Sequence, residues 1–527
     1  ALPNYRDYGF NILGDDFNNG FSCFRNLQPD ETFDPRIAAR LRQSWEGLAK
    51  QNLAVAFNPT LHYFPPWALG KYPGITGGTP VDALPDWSGL NRNRDKRTKR
   101  YGAFFPFAID SPSLRRLVST YYQGLFPGLR GGGGFQVVWM MNEPTYTNTK
   151  DPHYRKLFED SLKARYKTIN RLNRAWSADH KTFAEIADKA APGTRARYEW
   201  LTFHQDQVAS WFEWLGREAR KHNPELILSN KPMAWTLLHP EQGIDFEREA
   251  ELWDVPGCDA GRSPGNADYA FGWQKAIMLF DFQKSVAPDK PLGDHEYHYI
   301  HESGVSPEYV RATYFHSYLR GLRMSQFWVW ATGKIGEGKT GAGMRHTAWQ
   351  QPRVAWGTAT SALDLRRLAR YVAPFPGRPE VALYFSKASL YLAGDYAQAL
   401  SRAHAEANFL DAPIGFATDR MIRAGKLSRY RLLIVPDAEF VHHDVRDAIE
   451  RFAKDGGRVL LTRKSLTHGP DLVKLSAQGD VPRMERVDSL DRAALAGAID
   501  EAGIMPAVRI VSPGKHHVEC RSAQVDG

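Results

Sequence analysis

The chain predicts an α/β fold: a (β/α)₈ TIM barrel over residues 1–373, a smaller doubly wound α/β unit over 380–503, and the start of a β-rich unit over 504–527. Three observations predict it. Strand-like and helix-like segments alternate up to about residue 372, the signature of βαβ units. Pro374, Pro376, Gly377 and Pro379 then crowd together and break the chain. Two apolar strand candidates also end in carboxylates, and a barrel gathers its working residues at such strand ends.

In chain order, the first strand is expected at 9–13. Asp34-Pro35 pairs a helix N-cap with proline at the first helical position, and Ile37, Leu41, Trp45 and Leu48 recur at helical spacing behind it. A strand over 53–57 stops at Asn58-Pro59, and further strands are expected at 135–141, 226–229, 255–259, 291–296 and 325–330. The stripe Phe158, Leu162, Tyr166, Ile169 and Leu172 predicts one helix, and Leu201, Val208, Trp211 and Leu215 predict another. Beyond Pro379, 381–385 and 431–435 read as buried strands, and 459–461 as a third. The helix carrying Val445, Ile449 and Phe452 stops at Gly456-Gly457. From about Pro506 the pattern turns β-like.

Composition narrows the function classes. With 43% hydrophobic and 24% charged residues among 527, the balance is that of a globular protein large enough for several domains. Aromatics reach 12%, with 15 Trp. Flat aromatic faces stack on the C–H faces of sugars, although a large barrel also buries many of them. The net charge of +9 is densest at Arg92, Arg94, Lys96, Arg97, Lys99 and Arg100. No recognition-helix or zinc-finger spacing accompanies that run, so nucleic acid is not expected as a partner. The three cysteines, Cys23, Cys258 and Cys520, lie too far apart for a disulfide framework or a C-x-x-C metal site. No run of 18 apolar residues exists, so no membrane span is expected. No signal peptide is visible, yet the chain opens on Ala1 rather than Met. The compartment therefore stays open between the cytoplasm and a secreted or periplasmic location.

The strongest chemical signal is Val137-Val138-Trp139-Met140-Met141-Asn142-Glu143-Pro144, an apolar strand that delivers an amide and a carboxyl and is then stopped by proline. The second is Lys290-Pro291-Leu292-Gly293-Asp294-His295-Glu296. Cleavage of a glycosidic bond needs two carboxyl groups, one to protonate the departing oxygen and one to attack the anomeric carbon or activate water. A lone strand-terminal glutamate reads equally well as a helix cap, but the ordered pair favours chemistry.

On these residues the chain, from Tyr8 to about Leu466, resembles glycoside hydrolase family 42, the barrel-type β-galactosidases. The run 9–13 followed by Asp34 resembles the family's second strand and helix. Asn58-Pro59-Thr60 with Pro65-Pro66-Trp67 resembles its third strand, and Leu172-Asn173-Arg174-Ala175-Trp176 a further family segment. The resemblance implies Glu143 as acid/base and Glu296 as nucleophile of a retaining exo-β-glycosidase that needs no cofactor or metal. It implies Asn142, Arg100 and Trp330 as substrate-binding residues, Asn142 meeting the 2-hydroxyl, with Trp328 beside Trp330 on the eighth strand. His298 on a polar rim and Trp67 along a cleft are further residues expected to contact substrate. It also implies an oligosaccharide or glycoside substrate, a covalent glycosyl-enzyme, and a homotrimer assembled through the second unit. The family has one strand before 9–13 for which the first eight residues leave no room, so the chain is expected to be trimmed, and the β-like run up to Gly527 is expected to be cut within a third unit.

Departures from the family keep the glycone open. Pro144 follows the acid/base where the family carries an aromatic, and Asp179-His180-Lys181 replaces another. Asp259-Ala260-Gly261 lacks the family's tyrosine, and its zinc-binding cysteines are absent. A β-mannosidase or an endo-β-mannanase or glucanase is the alternative within the same chemistry, and an inactive sugar-binding or assembly protein the alternative outside it. Gly333-Lys334-Ile335-Gly336-Glu337-Gly338-Lys339-Thr340 fits a phosphate-loop pattern. Gly341 and Gly343 oppose the helix such a loop requires, so a nucleotide site is rejected. His295, His298 and His301 lack metal-ligand spacing for one strand, so a metal site is rejected too.

Overall fold

The computed structural model describes residues 2–15, 24–59, 61–62, 64–77, 105, 107–147, 149–261, 269–298, 305–328, 351–410, 412–476, 479–505, 508 and 518–525. Among them seven parallel strands form the barrel: β1 (Ile12–Asp15), β2 (Ala54–Phe57), β3 (Phe135–Asn142), β4 (Leu228–Lys231), β5 (Gly257–Cys258), β6 (Leu292–His298) and β7 (Leu322–Trp328). They pair in the order β1-β2-β3-β4 and β5-β6-β7. Parallel bridges Ser229–Val255 and Met233–Asp259 join β4 to the β5 segment. On the closing side, Gly14 of β1 faces Gln326 of β7. Because every strand runs the same way, all the strand C-termini share one mouth.

Most expected elements lie where the side-chain pattern puts them, and each has a local cause. The helix Pro35–Ala49 starts at Asp34, whose carboxylate accepts from the Arg36 amide, and it buries Ile37, Leu41 and Trp45. The stripe from Phe158 to Leu172 is two helices rather than one, Pro152–Tyr166 and Ile169–Trp176. Lys167 takes φ 66°, which no helix interior tolerates, and the Thr168 hydroxyl caps a new start by accepting from the Arg171 amide. The first strand begins at Ile12 rather than residue 9, because Gly9 has φ 85° and the short helix Leu2–Asp7 precedes it.

The second sheet contains β8 (Val381–Phe385), β9 (Ile414–Thr418), β10 (Leu432–Val435), β11 (Arg458–Thr462) and β12 (Met484–Val487), all parallel in the order β12-β11-β10-β8-β9. The barrel helix Gln274–Val286 is buried on nearly every face because this sheet covers its outer side. Phe282 packs against Phe385 at 4.8 Å and Phe416 at 5.7 Å between ring centroids. Of the last stretch, 518–525 are described and carry no strand. Glu519 instead reaches Arg320, which is 1% exposed. Arg320 also donates to Asp281, to the Tyr269 hydroxyl at 3.0 Å and to Asn408 at 3.0 Å.

A second buried network ties β3 to β4. Asn230 accepts from the Met141 amide at 3.2 Å and donates to Glu249 at 2.9 Å, while the Trp253 indole donates to the same Glu249 oxygen at 2.5 Å. Burial pushes the Glu249 carboxyl up to about 7.

Two stability measurements follow from these networks. Arg320→Met leaves Asp281 and Glu519 without their shared cation and should cost about 3–5 kcal/mol, read as a lower urea midpoint. Glu249 keeps its proton in the folded chain where the unfolded chain has lost it. Stability should therefore fall as pH rises from the ordinary glutamate range to about 7. The total is on the order of 3 kcal/mol. Glu249→Gln, which can still accept from both donors, should flatten that slope and be the more stable protein above pH 7 in urea titrations at several pH values; an unchanged slope would disprove the assignment.

Candidate active site

The barrel mouth collects polar side chains from four consecutive strand ends. Asn142 closes β3 and Lys231 closes β4, and the two are register partners. Asp259 follows β5 directly, and Glu296 lies near the end of β6. Asn142 and Lys231 are wholly buried, Asp259 and Glu296 nearly so, and Glu143 is half-buried. One carboxylate oxygen each from Glu143, Asp259 and Glu296 lie within 4.8 Å of one another.

Backbone geometry aims the first of these groups. Glu143 has φ 38°, a region L-residues rarely occupy, immediately after the strand and before Pro144. Such backbone persists where surrounding structure holds it, and it turns the Glu143 carboxyl to within 3.5 Å of the Asn142 amide nitrogen. The Lys231 ammonium donates to Asn142 Oδ1 at 2.5 Å and forms an ion pair with Glu296 Oε2. That bond fixes the amide, so the Asn142 nitrogen is the end left to face Glu143 and the mouth. The Lys231 ammonium also stands 5.9 Å from the centroid of the Trp328 ring, at the end of β7.

Beneath this layer the barrel interior is packed and partly polar. The His295 ring stacks on Trp139 at 5.2 Å and bridges Ser229 Oγ at 2.6 Å and the Gln326 side-chain amide at 2.9 Å. Burial pushes the His295 imidazole down to about 4, so it is neutral near pH 7. Gly257 makes room for this bridge, because a Cβ there would stand 2.6 Å from Ser229 Oγ and 2.8 Å from the His295 ring.

Of the residues expected at the site, the structure brings together Glu143, Glu296, Asn142 and Trp328. Trp67 opens the short helix Trp67–Lys71, is partly buried, and its indole N–H donates to the Leu27 carbonyl at 2.8 Å. His298 closes β6, with its side chain outside the described residues. Arg100 and Trp330 lie outside the described residues, as do His301, the phosphate-loop-like run 333–340 and the basic run 92–100. Lys231 was overlooked in sequence, although Ser229-Asn230-Lys231-Pro232 repeats the polar-then-proline ending of Met141-Asn142-Glu143-Pro144. Asp259 was noticed only for the tyrosine that does not follow it. Its own carboxylate belongs to the cluster.

Comparison with known proteins agrees with this architecture. The chain is 23% identical to the β-galactosidase YesZ of Bacillus licheniformis over 324 residues, covering 58% of this chain and 47% of that protein. It is 26% identical to a β-galactosidase of Thermus thermophilus over 200 residues, 36% of this chain and 29% of that one. The chain thus spans about half, or less, of the length of these curated relatives. Among solved structures, the apo exo-carrageenase of family 42 from Bacteroides ovatus superposes with a TM-score of 0.75 at 21% identity, covering 95% of this chain and 69% of that one. A cold-adapted β-galactosidase from Rahnella superposes with a TM-score of 0.69 at 19% identity, covering 90% of this chain and 69% of its own. These likenesses show the same fold, a TIM barrel with additional domains. The family model described as Beta-galactosidase matches residues 23–364, well over half of the chain, and this protein therefore belongs to glycoside hydrolase family 42.

Proposed function

We propose that this chain is a retaining exo-β-glycosidase acting on terminal β-galactosides, with Glu143 as acid/base and Glu296 as nucleophile. The observation that carries the reading is the approach of Glu143 and Glu296 oxygens to within 4.8 Å at the barrel mouth. Retaining enzymes hold their carboxyl groups roughly 5–5.5 Å apart, whereas inverting ones leave space for a water between them. The names of the relatives support a galactose-configured substrate, since most of those compared are β-galactosidases.

Charge supports the division of labour. Three carboxyls this close cannot all be ionised at low cost, and the lysine sits on Glu296. Glu296, paired with the lysine, is then the ionised nucleophile, and Glu143 is the carboxyl that carries the proton for the leaving oxygen. Glu296 attacks the anomeric carbon while Glu143 passes its proton to the leaving oxygen. Glu143 afterwards takes a proton from water, whose oxygen displaces Glu296 from the same carbon. The Asn142 N–H donates to a sugar hydroxyl beside the nucleophile, and Trp328 supplies an apolar wall. By the same resemblance the second unit is an assembly surface and the active form a homotrimer, for which light scattering should read three copies.

A panel of p-nitrophenyl glycosides tests the reaction. Turnover of the β-galactoside, above the β-mannoside and β-glucoside, is the expected result, and Glu296→Ala should abolish it. Glu143→Ala should lower turnover of an unactivated galactoside by about 10²–10⁴-fold. With the activated aryl galactoside, azide should restore turnover in Glu143→Ala by replacing water as the acceptor. Near-normal hydrolysis by Glu143→Ala without any azide effect would remove Glu143 from its role, and preferred mannoside turnover would replace the glycone.

A further inference from the structure

We propose that Lys231 is a catalytic residue whose ammonium group orients the Glu296 carboxylate for attack and then stabilises that carboxylate as it departs from the glycosyl-enzyme. The proposal rests on the reading of Glu296 as nucleophile. Its own basis is geometric. The lysine is wholly buried at the end of β4, its ammonium is paired with Glu296 Oε2, and a second bond to Asn142 Oδ1 at 2.5 Å holds it in place. A buried lysine costs several kcal/mol to desolvate, so a site that keeps one charged must surround it with anions. Glu296 on β6 supplies the anion that the ammonium meets, and Glu143 from the end of β3 and Asp259 after β5 each bring a carboxyl oxygen within 4.8 Å of Glu296.

Among the described residues, the buried imidazoles of His62 and His295 also sense this cation. Both are pushed down, to about 3 and about 4, first by burial and next, for His62, by the charge of Lys231 itself, with Arg25 adding to it. They are neutral at working pH and do not compete for Glu296. Lys231 is thus the cation that meets the nucleophile among the described residues.

The step can be followed atom by atom. In glycosylation one oxygen of Glu296 bonds to the anomeric carbon as the bond to the leaving oxygen breaks, and Glu143 supplies that oxygen's proton. Oε2, still facing the ammonium, becomes the ester carbonyl oxygen. In the second half, water adds to the anomeric carbon and gives its proton to Glu143. The bond from that carbon to Glu296 breaks, and its electron pair returns to the carboxylate. Negative charge therefore grows on Oε2 while the Lys231 N–H points at it, the situation in which a preorganised donor lowers a barrier most. The first half gains less, since the same cation stabilises the attacking anion before reaction.

The test is Lys231→Met and Lys231→Arg with p-nitrophenyl β-galactoside, followed through the first turnover and at steady state. In Lys231→Met, kcat should fall about 10²–10³-fold. KM should fall with it, and a burst of one p-nitrophenolate per site should appear as glycosyl-enzyme accumulates. The acid limb of kcat/KM should move to higher pH, because Glu296 loses the charge that favours its ionised form. Lys231→Arg, which keeps the charge, should recover part of the loss. A Lys231→Met enzyme with kcat within about threefold of the unmodified protein, no burst and an unmoved acid limb would overturn the proposal.

Should Lys231→Met not fold, the unmodified enzyme gives the answer. It is labelled by 2-deoxy-2-fluorogalactosyl fluoride at a series of pH values, and the modified peptide is identified by mass. Labelling of Glu296 that persists down to the ordinary glutamate range or below supports the cation's role, and labelling lost well above that range refutes it. Labelling at another residue would instead overturn the nucleophile assignment on which the proposal depends.

Discussion

Repulsion among three carboxylates is the constraint around which the barrel mouth is organised. At 4.8 Å and an effective dielectric near 20, each ionised pair costs about 3.5 kcal/mol, and burial raises that cost. Holding Glu143, Asp259 and Glu296 together as three bare anions is therefore costly. A lysine bound directly to Glu296 offsets part of the repulsion. The lysine thereby sets Glu296 apart from the other two carboxyls. Two carboxyls doing opposite work is what a two-step displacement requires.

Such a cluster is useful only if its members cannot drift apart. Parallel strands carry Asn142, Lys231 and Glu296, and the register between β3 and β4 sets Asn142 beside Lys231. Below them Trp139, His295, Ser229 and Gln326 fill the barrel interior with stacked and hydrogen-bonded side chains. Gly257 admits that bridge by lacking a Cβ. Asn230 and Glu249 tie the adjacent backbone of Met141 from outside the barrel. A site supported from below and behind need not reorganise during the reaction, which is the source of much electrostatic catalysis.

Among the described residues the second sheet meets the barrel at its wall. It covers the helix Gln274–Val286 with Phe385 and Phe416, and that covering explains an otherwise ordinary surface helix that is apolar on almost every face. Lys387 pairs with Asp245, and Thr418 bonds Glu247 at the two ends of the same contact. Arg320 joins the barrel helix, the helix Tyr396–Asn408 and the distant Glu519 in one buried cluster. These bonds belong to stability and leave the chemistry to the strand ends.

Local pattern in the sequence determined the alternation of elements, the two strands ending in Asn142-Glu143 and Glu296, the capping of Pro35–Ala49 at Asp34, and the break before the second sheet. Each of these rests on neighbours a few residues apart, where periodicity, proline and capping chemistry act. The break at Lys167 escaped the helical stripe because apolar spacing is blind to a single residue's φ. Lys231 and Asp259 escaped for a different reason. A lysine after Asn230 carries no local mark of burial, and its meaning arises only when the barrel brings the end of β4 to Asn142 of β3 and Glu296 of β6. Tertiary structure alone decided which carboxylates meet, at what separation and beside which cation, because Coulomb energy depends on distances that close between residues far apart in the chain, 65 positions in the case of Lys231 and Glu296.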